Sequence, residues 1–133
     1  MNVLVTGAAG YIGSVLVNKL LNKGYNVIGI DCLMYGGESL IGVFNHPNFK
    51  FYKADIRDID TLKPILEQVD AIVHLAAIVG DPACAKKPDL ARSINWEGSV
   101  NLLNAAHNIN RIKRFIFAST CSNYGKMEGN NYI

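Results

Sequence analysis

The sequence predicts an α/β fold of three layers, in which helices cover both faces of a doubly wound parallel sheet. Its candidate strands are apolar throughout rather than alternately apolar and polar, and segments of helical periodicity separate them. Strands that are buried on both faces have this composition. A turn with three glycines, Gly7, Gly10 and Gly13, joins the first strand to the first helix. Right-handed crossovers then favour the strand order 3-2-1-4-5.

Composition and charge narrow the class of protein. The 133 residues, half of them hydrophobic and 18% charged, suit a single domain over residues 1–133 with its own core. A net charge of +2 with scattered basic residues gives no reason to expect a nucleic-acid partner. No apolar run approaches the roughly 20 residues of a membrane-spanning helix, so we expect no membrane association. The N-terminus enters a strand directly, without a basic region followed by an apolar stretch, so we expect no signal peptide.

Three cysteines, Cys32, Cys84 and Cys121, lie far apart and without the spacing of metal ligands. Their odd number and separation favour reduced thiols, and hence a cytoplasmic location without a metal site.

The first half of the chain contains three predicted strands. The first covers Val3–Val5, the second covers 25–30 and ends at Asp31, and the third covers 49–53. Residues 32–48 are rich in glycine and are expected to form a loop with at most one short helical turn. The helix between the first two strands should bury one face, formed by Ile12, Gly13, Leu16, Val17, Leu20 and Leu21.

The second half continues the alternation of strands and helices, without internal repeats or linkers. A weak helix opens at 55–58, followed by a strand at 70–75 and a loop at 76–87. Pro88 suits the first turn of a long helix, and a fifth strand covers 114–119. The inward face of the long helix is predicted to contain Leu90, Ile94, Asn101, Leu102, Ala105 and Ala106.

The glycine turn has the composition of a phosphate-binding loop. Gly7 permits a tight turn, and Gly10 lacks a Cβ, so that a pyrophosphate can approach the backbone. Gly13 lets the helix lie close to the strand, and the positive end of the helix then faces the anion.

Two acidic residues follow strands at the same edge of the sheet. Asp31 lies 18 positions after Gly13, where a carboxylate can accept hydrogen bonds from ribose hydroxyls and repel a 2′-phosphate, which favours NAD over NADP. The alternative is a helix or loop cap. Asp55 could meet an adenine amino group with Ile56 against the ring, or it could be a helix N-cap.

Later residues admit two interpretations each. His74 ends the fourth strand and is either a satisfied structural residue or a base. Asn95, a poor helix former within the long helix, either binds backbone near the site or is exposed. The hydroxyl-rich segment 119–125 is either ordinary turn chemistry or the place where a substrate meets the cofactor. The small side chains that follow His74 leave room for a cofactor along the strand ends.

Taken together, these motifs resemble the N-terminal half of an extended short-chain dehydrogenase/reductase, with a Rossmann-like fold. The similarity is greatest to the NAD-dependent nucleotide-sugar epimerases and dehydratases. It covers the Thr-Gly-x-x-Gly-x-x-Gly loop at 6–13, the Asp-Ile pair at 55–56, the His-x-Ala-Ala segment at 74–77 and the Asn-x-x-Gly at 95–98. The cofactor-binding residues that the resemblance implies are Gly7, Gly10, Tyr11, Ile12, Gly13, Asp31, Asp55, Ile56, Leu75, Ala76, Ala77 and Asn95.

The resemblance also implies a catalytic role for Thr120, which lies four positions before Tyr124-Gly125. Thr120 would hydrogen-bond the oxygen of a nucleotide-sugar substrate during hydride transfer. The family also uses a Tyr-x-x-x-Lys pair for proton exchange, and no tyrosine of this sequence has a lysine four residues later.

The chain therefore reads as a truncated, N-terminal NAD-binding fragment that lacks the substrate domain and is inactive alone. The alternative is a non-catalytic NAD-binding sensor or interaction module. A fifth strand without its usual cover would expose apolar surface, so we expect self-association through that part of the sheet.

Overall fold

The computed structural model describes residues 1–120, with Asp81 described by its backbone alone. Its sheet has five parallel strands in the order β3-β2-β1-β4-β5, as the sequence predicted. In the register of the sheet, Thr6 at the end of β1 lies opposite Ile30 of β2 and His74 of β4, so these strands end at one edge. The strands are β1 (Asn2–Thr6), β2 (Asn26–Asp31), β3 (Phe49–Lys53), β4 (Ala71–His74) and β5 (Arg114–Phe117).

Helical segments connect each strand to the next. After Pro88 two α-helices and a π-helical turn follow one another directly, so the predicted long helix is present, but its π turn was not anticipated. The segments are α1 (Tyr11–Asn22), a 3₁₀ segment (Glu38–Val43), α2 (Ile59–Leu66), α3 (Asp81–Lys86), α4 (Pro88–Arg92), the π turn (Ser93–Gly98) and α5 (Ser99–His107).

The sheet has a hydrophobic core on each face, which gives the three predicted layers. Leu4 of β1 packs into the core that α2 and α5 cover. Its neighbours Val3 and Val5 point to the opposite face and pack against α1 and the 3₁₀ segment. Successive side chains of a strand alternate between faces, so a strand buried on both sides must be apolar at every position.

Four details of the sequence prediction are wrong. The loop predicted over 76–87 contains α3, which begins with Pro82 in its first turn, where proline is favoured. Helix α2 begins at Ile59 instead of near Asp55, because Asp58 caps it by accepting from the Thr61 amide at 3.2 Å.

The other two errors concern the inward faces of helices. Asn101 is exposed, because the π turn carries the buried face from Ile94 through Gly98 to Leu102. Ile12 was assigned to the buried face of α1, but its side chain is 64% exposed at the first turn of that helix.

Strand β5 forms one edge of the sheet and exposes apolar side chains. Ile116 and Phe117, which point to opposite faces, are each 55% exposed. This agrees with the expected apolar surface, while self-association stays a prediction. Among residues 1–120, no helix combines the length and apolar character that crossing a membrane requires.

Candidate functional site

A cavity of about 710 Å³ lies at the carboxyl ends of the strands. Open α/β sheets bind their ligands at this edge, and the volume is in the range of small-molecule sites. The segments that follow all five strands contribute to its wall. The lining residues include Gly7, Gly10, Tyr11, Ile12, Gly13, Asp31, Cys32, Met34, Tyr35, Asp55, Ile56, Leu75, Ala76, Ala77, Ile78, Val79, Ala118 and Ser119.

The three glycines of the loop have three different environments. Gly7 has a φ of +69°, a conformation that glycine adopts without strain, and a Cβ there would lie 2.8 Å from the Ala76 nitrogen. A Cβ at Gly13 would lie 2.1 Å from the Gly7 carbonyl oxygen. A Cβ at Gly10 would meet only that same oxygen, at 3.2 Å. The fold therefore requires Gly7 and Gly13, whereas Gly10 leaves open space on the cavity wall.

The N-terminus of α1 lies at this cavity, because residues 10–13 line it. Gly10 is the N-cap residue, no side chain caps this helix end, and the first turn carries no acidic residue. Tyr11 is 94% exposed beside the opening. The first amides of a helix lack partners within the helix, and the helix dipole adds positive potential, so the end suits a bound anion.

Asp31 holds the backbone of the glycine loop while it lines the cavity. Its Oδ2 accepts from the Ala9 amide at 3.0 Å, and its Oδ1 accepts from the Leu33 amide at 2.8 Å. The loop-cap interpretation is therefore confirmed. Each carboxylate oxygen can accept two hydrogen bonds, so capacity is left for hydroxyl donors of a ligand.

The 3₁₀ segment fixes the same loop from its other side. Ser39 Oγ donates to the Ala9 carbonyl oxygen at 2.8 Å, so both backbone groups of Ala9 are held. The sequence offered no sign of this contact, because 30 residues separate the two partners.

Asp55 is engaged by Arg57, two positions further along the chain. The Arg57 amide donates to Oδ1 at 2.9 Å. The guanidinium donates to both oxygens, with Nε 3.0 Å from Oδ1 and Nη2 2.6 Å from Oδ2. These hydrogen bonds lower the pKa of the Asp55 carboxyl group. The N-cap alternative for Asp55 is wrong, since Asp58 takes that position. Ile56 is buried and lines the cavity.

His74 is a satisfied buried residue, which is one of the two interpretations offered above. Its side chain is 1% exposed, and burial lowers the pKa of His74 to about 4. Nδ1 lies 2.6 Å from Thr6 Oγ1 and Nε2 lies 2.8 Å from Ser99 Oγ. His74 does not line the cavity, but Leu75, which follows it directly, does.

Asn95 in the π turn binds the backbone of the cavity wall. Its Oδ1 accepts from the Ile78 amide at 2.8 Å, and its Nδ2 donates to the Ile78 carbonyl oxygen at 2.7 Å. This confirms the backbone-binding interpretation over simple exposure. Asn95 itself does not line the cavity, so any effect on a ligand passes through Ile78.

The segment after β5 is described only in part. Ser119 lines the cavity, and Thr120, the predicted catalytic residue, follows it as an exposed residue outside the lining. Tyr124-Gly125 lies outside the described residues. Within residues 1–120 no group of three His, Cys, Asp or Glu side chains is placed to hold a metal ion.

Several lining residues were not predicted from the sequence to lie beside a ligand, among them Cys32, Met34 and Tyr35. One signal could have found them, because they directly follow the carboxyl end of β2, where ligands collect in such sheets.

Comparison with known proteins places this geometry in a family. The sequence model of the NAD dependent epimerase/dehydratase family matches residues 3–132 of this chain. A UDP-glucose 4-epimerase from Lactobacillus helveticus is 38% identical over 127 residues, which cover 94% of this chain and 37% of the relative.

Solved structures agree with the sequence match. A dTDP-glucose 4,6-dehydratase from Streptomyces venezuelae, solved with NAD bound, has a TM-score of 0.91 and 34% identity. The match covers 99% of this chain and 43% of that one. A UDP-glucuronic acid 4-epimerase from Bacillus cereus, in complex with UDP-glucuronic acid and NAD, has a TM-score of 0.88 and 34% identity. It is matched over 99% of this chain and 44% of its own. The chain thus spans about two fifths of the length of these three proteins, at their N-terminal part.

Proposed function

The chain belongs to the NAD-dependent epimerase/dehydratase family, and on this premise we propose that residues 1–133 form the NAD-binding domain of an enzyme that modifies a nucleotide sugar. The observation that carries the proposal is the cavity at the strand ends. It combines the uncapped N-terminus of α1, Gly10 with open space beside its Cα, and the Asp31 carboxylate with spare acceptor capacity. These are the features that the pyrophosphate and the ribose of a dinucleotide need.

Different residues of the cavity wall are suited to different parts of NAD. The amides at the start of α1, with Gly10, Tyr11 and Ile12, would hold the pyrophosphate. Asp31 would accept from the adenosine ribose hydroxyls. Asp55 would accept from the adenine amino group once Arg57 Nε, which donates to both carboxylate oxygens at 3.0 and 3.1 Å, donates to one of them alone. The remaining contacts would come from Gly7, Gly13, Ile56, Leu75, Ala76 and Ala77, with Asn95 acting through Ile78.

The choice of NAD over NADP depends on Asp31. Its two oxygens are fixed by the Ala9 and Leu33 amides, so the carboxylate cannot turn away from the cavity without losing both hydrogen bonds. A 2′-phosphate placed beside it would be repelled by the negative charge. We therefore expect NAD to bind more tightly than NADP.

The catalytic part of the proposal concerns the complete protein that carries this sequence. NAD would supply the hydride acceptor, and Thr120 would hydrogen-bond the sugar oxygen at the carboxyl end of β5. The proton-exchanging tyrosine and its lysine are not within these 133 residues, so this segment alone should bind NAD without turnover. The free thiols of Cys32 and Cys84 favour a cytoplasmic location.

Calorimetric titration with NAD, NADH and NADP tests the binding proposal. We expect one site, occupied by NAD or NADH with higher affinity than by NADP. Failure to bind any of the three would overturn the proposed function, and a preference for NADP would overturn the role of Asp31.

A turnover assay separates the enzyme from the binding module. The protein that carries this sequence is incubated with UDP-glucose, UDP-glucuronic acid and dTDP-glucose, and products are identified by mass spectrometry and NMR. Conversion of one sugar nucleotide supports the enzyme, with Thr120→Val reducing the rate by at least about tenfold if one transition-state hydrogen bond is lost. Tight NAD binding without conversion of any of the three supports the non-catalytic module.

A further inference from the structure

The side chains of Thr6, His74 and Ser99 form a hydrogen-bonded chain beneath the cavity. Thr6 Oγ1 is 2.6 Å from His74 Nδ1, and His74 Nε2 is 2.8 Å from Ser99 Oγ. The chain continues to the backbone at both ends. Ser99 Oγ donates to the Asn95 carbonyl oxygen at 2.9 Å, and the amide of Ala76 donates to Thr6 Oγ1 at 3.2 Å. Thus it connects the π turn to the wall of the cavity.

Only one arrangement of protons satisfies every member of this chain. The single hydrogen of the Ser99 hydroxyl goes to the Asn95 carbonyl oxygen, which can only accept. Ser99 Oγ must therefore accept from His74, so the proton of the neutral imidazole is on Nε2. Nδ1 is then an acceptor, and the Thr6 hydroxyl donates to it.

Both lone pairs of Thr6 Oγ1 also accept hydrogen bonds in this arrangement. With its hydrogen on His74, Thr6 Oγ1 has two lone pairs, and the amides of Leu75 and Ala76 each donate to it at 3.2 Å. The Leu75 amide also donates to the Thr6 backbone oxygen at 3.2 Å. Leu75 is therefore held twice, whereas the bond to Thr6 Oγ1 is the contact that holds Ala76.

We propose that Ser99 is a positioning residue, which acts through His74 and Thr6 to hold Ala76 on the wall of the cofactor cavity. Its importance for a ligand rests on the proposed function, since Ala76 lines the cavity assigned to NAD. Ala76 also packs against the glycine loop, where a Cβ on Gly7 would lie 2.8 Å from its nitrogen. The hydrogen-bonded chain therefore sets how far apart two walls of the site lie.

The effect of removing the Ser99 hydroxyl should pass along the hydrogen-bonded chain to Thr6. In Ser99→Ala, a proton kept on Nε2 has no partner in a buried site, which is costly. If the proton moves to Nδ1, His74 becomes a donor to Thr6 Oγ1 and competes with the Ala76 amide for its lone pairs. We expect the second arrangement, because the first leaves a buried donor without a partner. In the second, the bond that Ala76 depends on is weakened more than the bonds of Leu75, because Leu75 also donates to the Thr6 backbone oxygen.

Three measurements on the protein that carries this sequence test the proposal. The ¹⁵N resonances of His74 should show a protonated Nε2 and an unprotonated Nδ1. Amide hydrogen exchange in Ser99→Ala should be at least about tenfold faster at Ala76, with a smaller change at Leu75. The Kd for NAD should rise about fivefold, the equivalent of one net hydrogen bond.

Matched variants separate positioning from a general loss of stability. Ser99→Thr keeps the hydroxyl and should restore the exchange rate and the Kd. In the same way, Thr6→Ser keeps the hydroxyl and should preserve the hydrogen bonds to His74 and Ala76, and Thr6→Val should remove them. Ser14→Ala removes a hydroxyl that also donates to a helical carbonyl oxygen, that of Tyr11, and should leave exchange at Ala76 unchanged.

Four results would overturn the proposal. They are a proton on Nδ1 of His74 in the unmodified protein, equal acceleration of Leu75 and Ala76 in Ser99→Ala, no rescue by Ser99→Thr, or an unchanged Kd for NAD in Ser99→Ala. If the unmodified protein does not bind NAD, the proposed function fails instead. The proton position and the exchange pattern then still decide whether the hydrogen-bonded chain holds Ala76.

Discussion

Replacing Gly13 with alanine should disrupt both the stability of the fold and the binding of NAD. The added Cβ would lie 2.1 Å from the Gly7 carbonyl oxygen and 2.9 Å from Ala8 Cα. Both atoms belong to the backbone, so no side-chain rotation can relieve the contact. The loop and α1 would have to separate by at least about 1.3 Å to reach an ordinary van der Waals distance.

The loop has little space into which it can retreat. A Cβ on Gly7 would already lie 2.8 Å from the Ala76 nitrogen, so Gly7 is also in close contact with the segment that follows β4. We expect Gly13→Ala to lower the free energy of unfolding by about 3 kcal/mol, at the upper end of the usual cost of overpacking. A loop displaced by more than about 1 Å should also weaken NAD binding by at least about tenfold, since the geometry of a binding site tolerates such displacements poorly.

Urea unfolding and calorimetric titration with NAD measure the two effects. Gly42→Ala is the matched control, because a Cβ there meets nothing within 4 Å. The control should change the free energy of unfolding by less than about 1 kcal/mol, in the stabilising direction. Wild-type unfolding and an unchanged Kd in Gly13→Ala would refute the reasoning from close packing.

Four further predictions test other parts of the molecule. Gly10→Ala should change the free energy of unfolding by less than about 1 kcal/mol but weaken NAD binding at least about tenfold, because the added Cβ would occupy space on the cavity wall. An unchanged Kd by calorimetry would count against this. Asp31→Ala should weaken NAD binding and narrow the preference over NADP, and titrations that give the same ratio of Kd values as the unmodified protein would contradict the ribose role. His74 has a pKa near 4 in the fold. Between that value and about 6.5 only the unfolded state binds the proton, so the free energy of unfolding should fall as pH falls, by up to about 1.4 kcal/mol per pH unit. Urea unfolding at pH 7, 6 and 5 measures this slope, which His74→Gln should lack. Phe117→Ser should reduce self-association through β5, measured by sedimentation at several concentrations. Unchanged sedimentation would show that the exposed Ile116 and Phe117 side chains take no part in it.

The fold was predictable because its signals are local. Apolar strands such as β1 reveal burial on both faces, and the three glycines reveal a strand that turns at once into a helix. Asp31 could be assigned to the cavity edge because it ends β2. Chain order and the handedness of crossovers were then sufficient for the order of the strands.

The site was less predictable, because its polar contacts depend on neighbours in space. Asp55 is an example, since its pairing with Arg57 depends on a turn that ends before α2 begins. The wrong placement of Asn101 is another, because nothing in the helical periodicity indicates a π turn. A π turn changes the number of residues per turn, and so rotates the face of every residue after it.

By itself the sequence determined the α/β class, the strand order and the position of the glycine loop at the edge where a ligand can bind. Only the tertiary structure decided which partner each buried polar group takes. His74 meets Thr6 across 68 residues and Ser99 across 25. Such partners are chosen by the register of β1 against β4 and by the rotation of the helix after the π turn. Neither quantity is contained in local periodicity, because both depend on how separate elements pack against one another.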